Sequence, residues 1–554
     1  GFSQKKRSKN GGEDQMSEDV LLKAETSMIE AEKYLILEDY AKAFELFVLA
    51  KDLNPDNDAV YFKLAEVVVQ NGENEKGLEY INKAIELSPD NKFYRIFKAE
   101  ILKAVGKYDE AIETYEELIA NISGTESYLF ELALLHQYQG NWNKALETYE
   151  KAENTFGPSI EVLREKQQIY LRKNDMESLL KDWDELISMS PYEPELVLEL
   201  CGILVVNEMF EEARSRLGKF IQENPNSDQP YLLLSEIERS QGNIDEAITY
   251  MSRPIRSTSV DLMTKLQALN SYVYVLGTEE RKNNVLDLIG GLVETHPKEY
   301  QALAFAGDIY VQLEDKKTAL KYYRKAAALS PSSFNVWQNV VSIESELSEY
   351  DSLIKHCEEA LEFFPNQAIF YFYGGIGYYF NEEYRRAATL LEQGKKYTTD
   401  AKLLAVFYGQ LGDTYHSLNE YRKSDDSYEK ALESDPENDH ALNNYSYYLS
   451  LRGEKMDKAF EMSARLVELH PNDPTYLDTH GWVLYVMGEY EEAAKYLKKA
   501  AQLDNDGTIL EHYGDVLFKL GDEVEALKYW IRARESGGTS DKIDKKISDR
   551  QLYE

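Results

Sequence analysis

Residues 297–331 read PKEYQALAFAGDIYVQLEDKKTALKYYRKAAALSP and carry the architecture in miniature. The stretch begins and ends on prolines 34 residues apart, Pro297 and Pro331. Counting so that the closing proline is position 32, Gly307 stands at position 8, Ala319 at position 20 and Tyr323 at position 24. Small residues at two places and a large one at a third describe two helices whose backbones approach closely, with the aromatic ring filling the hole between them. The proline ends the second helix because it cannot continue the hydrogen-bond ladder.

The same spacing extends through the chain. Prolines fall at 55 and 89, then at 191, which is three times 34 further on, and at 225. Pro297 follows after 72 residues, Pro331 and Pro365 after 34 each, Pro436 after 71 and Pro471 after 35. Position 8 is small in twelve of fifteen units, as at Ala65, Cys201, Gly412 and Gly514. Position 20 is alanine at Ala43, Ala111, Ala493 and Ala526, and position 24 is bulky at Phe47, Trp183, Tyr428 and Trp530. This pattern resembles the tetratricopeptide repeat family, whose signature is this length with these positions. The resemblance covers roughly residues 20–538. It implies an all-α fold, a right-handed superhelical solenoid of about fifteen helix-turn-helix repeats.

Departures from the pattern suggest boundaries. We expect a lead-in over 1–19, a first array over 20–250, a divergent repeat over 251–298, a second array over 299–538 and a capping helix over 539–554. Gln167 and Leu179 stand where small residues belong, and Arg253-Pro254-Ile255-Arg256 falls where a second helix should finish. A divergent repeat either bends the array or carries an insertion that serves a partner, and a bend is the expectation here. Lys542, Lys545 and Lys546 lie on a polar pattern that reads as a solvating cap.

Composition narrows the classes. The 554 residues carry 62 basic and 99 acidic side chains, a formal charge of −37. With 30 glycines, 14 prolines and 12% aromatics the chain is neither collagen-like nor disordered, and two cysteines build no disulfide framework. So negative a chain is ill suited to nucleic acid, which needs a clustered basic face. The repeat reading places the acids on the outward faces of the helices, with core and groove largely apolar or small. Cys201 and Cys357 occupy helix positions that want small or apolar side chains, so both are expected buried and free. No run of 18 apolar residues exists to cross a membrane as a helix.

A search for chemistry returns no catalytic, cofactor-binding or metal-binding residues, and the chain is expected to be no enzyme. The eight histidines show no His-Glu-x-x-His, and no Cys-x-x-Cys occurs. His296 and His470 directly precede repeat prolines, where a helix C-terminus favours partial positive charge. Gly374, Gly375 and Gly377 lie inside a helix without the preceding strand that a dinucleotide motif needs.

Surface remains. In a stack of helix pairs the first helix of each unit lines a concave groove, chiefly through positions 2, 5, 9 and 12. In the unit beginning at Ala368 this puts Ile369, Phe372, Ile376 and Tyr379 on the groove side of a helix that is apolar all round. Its cover is either the neighbouring turn of the chain or a docked partner segment. Asn443 and Asn444, followed by Tyr445, Tyr447 and Tyr448, resemble the groove asparagines with which some repeats of this family hold a peptide backbone. Trp482 completes the candidate partner-binding set. The basic residues with which chaperone-binding members grip a terminal carboxylate are not arranged that way, so that function is not carried over.

Residues 480–494, 510–522 and 526–530 are similar to the closing repeats of large bacterial outer-membrane repeat lipoproteins. That group includes tethers and adaptors, some capturing a periplasmic carboxyl-terminal-processing protease and presenting peptidoglycan hydrolases to it. The similarity implies an adaptor on the periplasmic side of the outer membrane, whose protein partner is such a protease or a component of secretion machinery. Related proteins serve as structural subunits of secretion, assembly or gliding machines, and a cytoplasmic scaffold is the further alternative. The opening Gly1-Phe2-Ser3-Gln4-Lys5-Lys6-Arg7 lacks an initiating Met and reads like the polar tether after a lipidated cysteine, which would be the sole membrane attachment. A cloning boundary or a disordered cytoplasmic tail is the alternative reading of those residues, and the lipoprotein tether is the one preferred.

Overall fold

The computed structural model describes residues 17–554; of the lead-in expected over 1–19, residues 1–16 lie outside the described residues, and Glu18 and Asp19 already belong to the first helix. The chain divides into two compact units, one up to Glu223 and one from Asn224 onward. The first holds α1 (Glu18–Ile36), α2 (Tyr40–Leu53), α3 (Asp58–Gln70), α4 (Asn74–Leu87), α5 (Lys92–Ala104) and α6 (Tyr108–Asn121). It continues with α7 (Leu129–Tyr138), α8 (Trp142–Phe156), α9 (Ile160–Arg172), α10 (Met176–Met189), α11 (Glu195–Val206) and α12 (Phe210–Glu223). The second begins with α13 (Pro230–Ser240), α14 (Ile244–Ile255), α15 (Leu262–Asn270), α16 (Glu279–Thr295), α17 (Tyr300–Gln312) and α18 (Lys316–Leu329). Next come α19 (Phe334–Glu346), α20 (Tyr350–Phe363), α21 (Ala368–Phe380), α22 (Tyr384–Gly394), α23 (Ala401–Ser417) and α24 (Tyr421–Ser434). It closes with α25 (Asp439–Arg452), α26 (Met456–Leu469), α27 (Pro474–Val486), α28 (Tyr490–Leu503), α29 (Gly507–Lys519), α30 (Glu523–Ser536) and α31 (Ile543–Asp549). Among the described residues there is no strand, and helices pack in successive antiparallel pairs as the repeat period predicts, except that α14 packs on α16 and α15 leans on α17.

Local chemistry explains the pairs. Helices begin where an Asx side chain satisfies free backbone N–H groups: Asp473 Oδ1 accepts from Thr475 N at 2.9 Å and Tyr476 N at 3.2 Å, with Pro474 at the first position. The turn inside a unit passes through the left-handed region at position 15. Gly488 supplies it at φ +84, whereas Glu382 takes the same role at φ +60 and bears the steric penalty of its Cβ.

The predicted small-against-large pairing is present. A Cβ placed on Gly307 would lie 2.7 Å from the Tyr323 ring, one on Gly412 2.6 Å from Tyr428, and one on Gly514 2.5 Å from Trp530. Where Gln167 replaces the small residue, its Oε1 accepts a hydrogen bond from Trp183 Nε1 at 3.2 Å, so a polar contact substitutes for close approach. Cys201 and Cys357 are buried and free, and burial pushes the Cys201 thiol up to about 11.

The divergent segment is explained by its own packing. α14 accommodates Pro254 in its last turn, and α15 stops after nine residues, whereas α17, α19 and α21 each run thirteen. The chain turns at Ser271 to bury Tyr272 and Val273, and the Tyr272 hydroxyl meets Ser235 Oγ, itself donating to Ala247 O at 2.8 Å. Lys265 is fully buried, with Nζ 2.5 Å from Ser257 O and 2.8 Å from His296 Nε2. His296 thus serves as more than a favourable charge at a helix end, and burial holds the Lys265 ammonium below its ordinary value.

Two expectations about charge need correction. Lys546 does not solvate the end of the array. It is 3% exposed and places Nζ 2.9 Å from Glu511 Oε1 and 2.8 Å from Asp515 Oδ1. Nor do the acids keep to outward faces, because Asp413, Asp478, Glu511 and Asp515 are buried at groove positions. A carboxylate can occupy such a place only when charge-assisted hydrogen bonds replace its water, and each of these finds them.

Candidate partner-binding groove

The first helices of successive units touch along one face, α19 with α21, α21 with α23, α23 with α25, α25 with α27 and α27 with α29. The Tyr447 ring of α25 lies 6.5 Å from the His512 ring of α29, two units on. Such a contact, skipping α27, requires the face to be concave.

The sequence-predicted residues divide on it. Ile369 and Ile376 are half-buried and pack into the core shared with α19 and α20, while Phe372 meets Phe407 of α23 edge-on at 5.5 Å. Tyr379 stacks edge-on against Tyr384 at 5.4 Å, and burial raises its hydroxyl above the ordinary value. The neighbouring turns therefore supply much of the cover for α21. Three glycines make this possible, since side chains at Gly374, Gly375 and Gly377 would collide with Leu390, Leu391 and Ile354.

Asn443, Asn444, Tyr447 and Trp482 come together further along. Asn443 Nδ2 donates to Asn444 Oδ1 at 3.0 Å, and Asn444 Nδ2 donates to Asp413 Oδ1 at 2.9 Å. Trp482 stacks on His512 with centroids 4.0 Å apart and on Tyr485 at 4.5 Å. Tyr447 is half-buried, and burial, followed by the field of Asp478, pushes its hydroxyl up to about 12.

Sequence reasoning missed the acid–base rungs that hold this face together. Asp413 of α23 meets His440 Nε2 of α25 at 2.8 Å, and Asp478 of α27 meets His512 Nδ1 of α29 at 2.8 Å. Asp515 and Glu511 of α29 meet Lys546 of α31. Each rung ties one first helix to the next. Asp413 at position 9 and Asp478 at position 5 fall on groove positions by counting alone, which was the available signal. It was hidden because 99 acidic residues make any one of them look like solvation.

The rungs predict a pH dependence. Burial opposes the charged form of His512, but Asp478, with Asp515 and Glu511 behind it, outweighs burial and raises the imidazole above its ordinary value. A histidine raised in the folded state contributes stability that is complete below its unfolded pKa and fades as pH rises through the folded one. His480 works in the opposite sense, because burial lowers it to about 4 and its contribution is lost as pH falls from 6.5 toward that value. In a His512→Gln comparison His480 cancels. The loss of hydrogen-exchange protection in α27–α29 relative to wild type is expected to be larger at about pH 6 than at about pH 9. Equal losses at both would show that His512 is held neutral.

Comparison with known proteins agrees with this geometry. Tetratricopeptide-repeat profiles match residues 127–157, 300–333, 405–438 and 479–538. The profile of the anaphase-promoting complex, cyclosome, subunit 3 matches residues 31–118. The chain is a tetratricopeptide-repeat protein, an all-helical solenoid of 31 helices among the described residues. A TPR repeat-containing protein of Pseudomonas aeruginosa is 29% identical over 123 residues, 22% of this chain and 20% of the relative. The protein O-mannosyl-transferase TMTC1 of Homo sapiens is 22% identical over 209 residues, 38% of this chain and 20% of the relative. This chain spans about a fifth of the length of the curated relatives it matches. Among solved structures, yeast Tom70 is similar at 16% identity and a TM-score of 0.34, covering 95% of this chain and 94% of that one. A tetratricopeptide repeat protein from Parabacteroides merdae is similar at 14% identity and a TM-score of 0.38, covering 45% of this chain and 98% of its own.

Proposed function

We propose that this protein is a non-catalytic adaptor that holds a segment of a partner protein in the groove between α21 and α29. One observation carries the reading. Asn443 Oδ1 on α25 and Trp482 Nε1 on α27 belong to side chains at groove positions of consecutive first helices, and neither atom has a hydrogen-bond partner within the protein. A hydrogen-bonding group in that state costs about 1–3 kcal/mol. A peptide backbone along the face supplies the donor that Asn443 Oδ1 lacks and the acceptor that Trp482 Nε1 lacks once these half-buried side chains turn outward, and the rings of Tyr447 and Trp482 offer it apolar surface.

The finer reading places the adaptor on the periplasmic side of a bacterial outer membrane, recruiting a processing protease or another envelope protein. The similarity of residues 480–494, 510–522 and 526–530 to the closing repeats of outer-membrane repeat lipoproteins supports it. Pull-down from solubilised envelopes tests both levels. Trp482→Ala and Tyr447→Ala are each expected to weaken capture of a soluble partner about thirtyfold, as for a central aromatic anchor. Lys499→Ala, on a second helix, is expected to leave it intact. Unchanged co-purification of a fixed complex with both groove variants would instead mark a structural subunit of an envelope machine.

A further inference from the structure

The early stop of α15 has a consequence for the groove. Four residues fewer than its counterparts shorten this helix by about 6 Å. Where the missing turn would lie, a cavity of about 550 Å³ opens between the end of α15 and the groove faces of α17 and α19. Val273 and Phe305 form apolar walls, and Asn270, Asn339 and Ser342 place amide and hydroxyl oxygens around it.

The charges lining it are unbalanced. They are Asp308, Lys316 and Glu346, two carboxylates against one ammonium. Lys316 is engaged by Glu346 in an ion pair across the rim. Asp308 stands at position 9 of its unit, with Oδ1 accepting the Tyr323 hydroxyl at 2.5 Å, and makes no ion pair among the described residues. The buried carboxylates of the C-terminal rungs each have a cation from the next first helix. Asp308 occupies the equivalent position but is exposed, and the polar side chains with which α19 lines the cavity, Asn339 and Ser342, include no cation. Partial loss of water raises its carboxyl above the ordinary value, the Tyr323 hydrogen bond offsetting only part of that.

We infer that this cavity seats a lysine or arginine side chain of the partner segment, its methylene stem lying against Val273 and Phe305 and its cation at Asp308. The inference rests on the groove reading above and adds to it the class of residue recognised. A carboxylate with no cation of its own, beside an apolar wall, suits an organic cation, whose stem is covered while its head is paired. It does not suit a metal ion, which needs several oxygen ligands converging on one point. The charge of −37 raises the local concentration of basic segments around the whole chain, and the cavity gives one residue of such a segment a fixed place.

The test is selection of a random phage-displayed peptide library on the full chain, followed by affinity measurement with synthetic peptides. Wild type is expected to enrich peptides with lysine or arginine at one fixed position. Alanine at that position should weaken binding to wild type about tenfold and leave binding to Asp308→Asn unchanged, which is the signature of direct coupling. Asparagine keeps the acceptor for Tyr323 and the shape of the site, and an unaltered far-ultraviolet circular dichroism melt verifies the fold. Peptides that bind, lose affinity with Tyr447→Ala and show no basic preference or no coupling to Asp308 overturn this inference and leave the groove reading standing. Failure to select any binder overturns both.

Discussion

Lys546→Met is expected to destabilise the last repeats by about 3–5 kcal/mol, because it strips the cation from two buried carboxylates and leaves them facing each other. Glu511 and Asp515 are 4% exposed and stand one turn apart on α29. Burial pushes the Asp515 carboxyl up, and Lys546 is the chief influence pulling it back. Glu511 is held below its ordinary range, burial being outweighed by Ser540 and Lys546. Methionine fills most of the volume of the lysine, so the loss isolates charge from packing. In a repeat array each unit contacts only its neighbours, and the damage should therefore stay local. Hydrogen exchange should accelerate in α29–α31 while α17–α20 keep wild-type protection. Adding Glu511→Gln and Asp515→Asn removes the buried charges and is expected to restore most of the loss. A triple variant no more protected than the single one would mean that Lys546 acts by packing.

Trp530→Ala is the second large effect, with an expected cost of about 3–5 kcal/mol for the cavity and the lost transfer energy. The ring is 1% exposed, its Nε1 donates to Asp515 Oδ1 at 2.9 Å, and it lies against the backbone of Gly514. Gly514→Ala alone should cost about 1–3 kcal/mol through overpacking, since its Cβ would stand 2.5 Å from the indole. Combined, the two should cost clearly less than their sum, because alanine at 514 occupies part of the space that the indole leaves. Urea unfolding monitored by local hydrogen exchange measures the cycle, and simple additivity would sink the idea that positions 8 and 24 form one packing unit.

These two sites show how far the chain could be read without coordinates. The Gly514 and Trp530 pair is written in the repeat, 16 residues apart as at Gly307 and Tyr323 or Gly412 and Tyr428. Close packing of two helices restricts residue size at a few positions, and such restrictions recur with the period of the helix pair. The Lys546 rung carries no such mark. Its partners lie 31 and 35 residues upstream among a large excess of acids, and only their common burial distinguishes them.

The groove falls between these cases. Asn443, Asn444, Tyr447 and Trp482 were assigned to the groove face by position, and the structure sets Asp413 and His512 beside Asn444 and Trp482. Ile369, Phe372, Ile376 and Tyr379 were found by the same arithmetic, yet they serve largely to bind α21 to its neighbours. Position along a helix states which way a side chain points and is silent on how near the next helix comes. At α21 three glycines let the flanking helices close in.

Periodicity and residue size were sufficient for the helix pairs, their number and the sites of tight packing. Those properties arise from contacts within a unit or between adjacent units, so they repeat and can be counted. The pairing of Asp478 with His512, the burial of Lys546 and the cavity left by α15 had to await the folded chain. They depend on distances between side chains about one repeat apart, and a linear pattern holds no term for the water that folding removes from a charge.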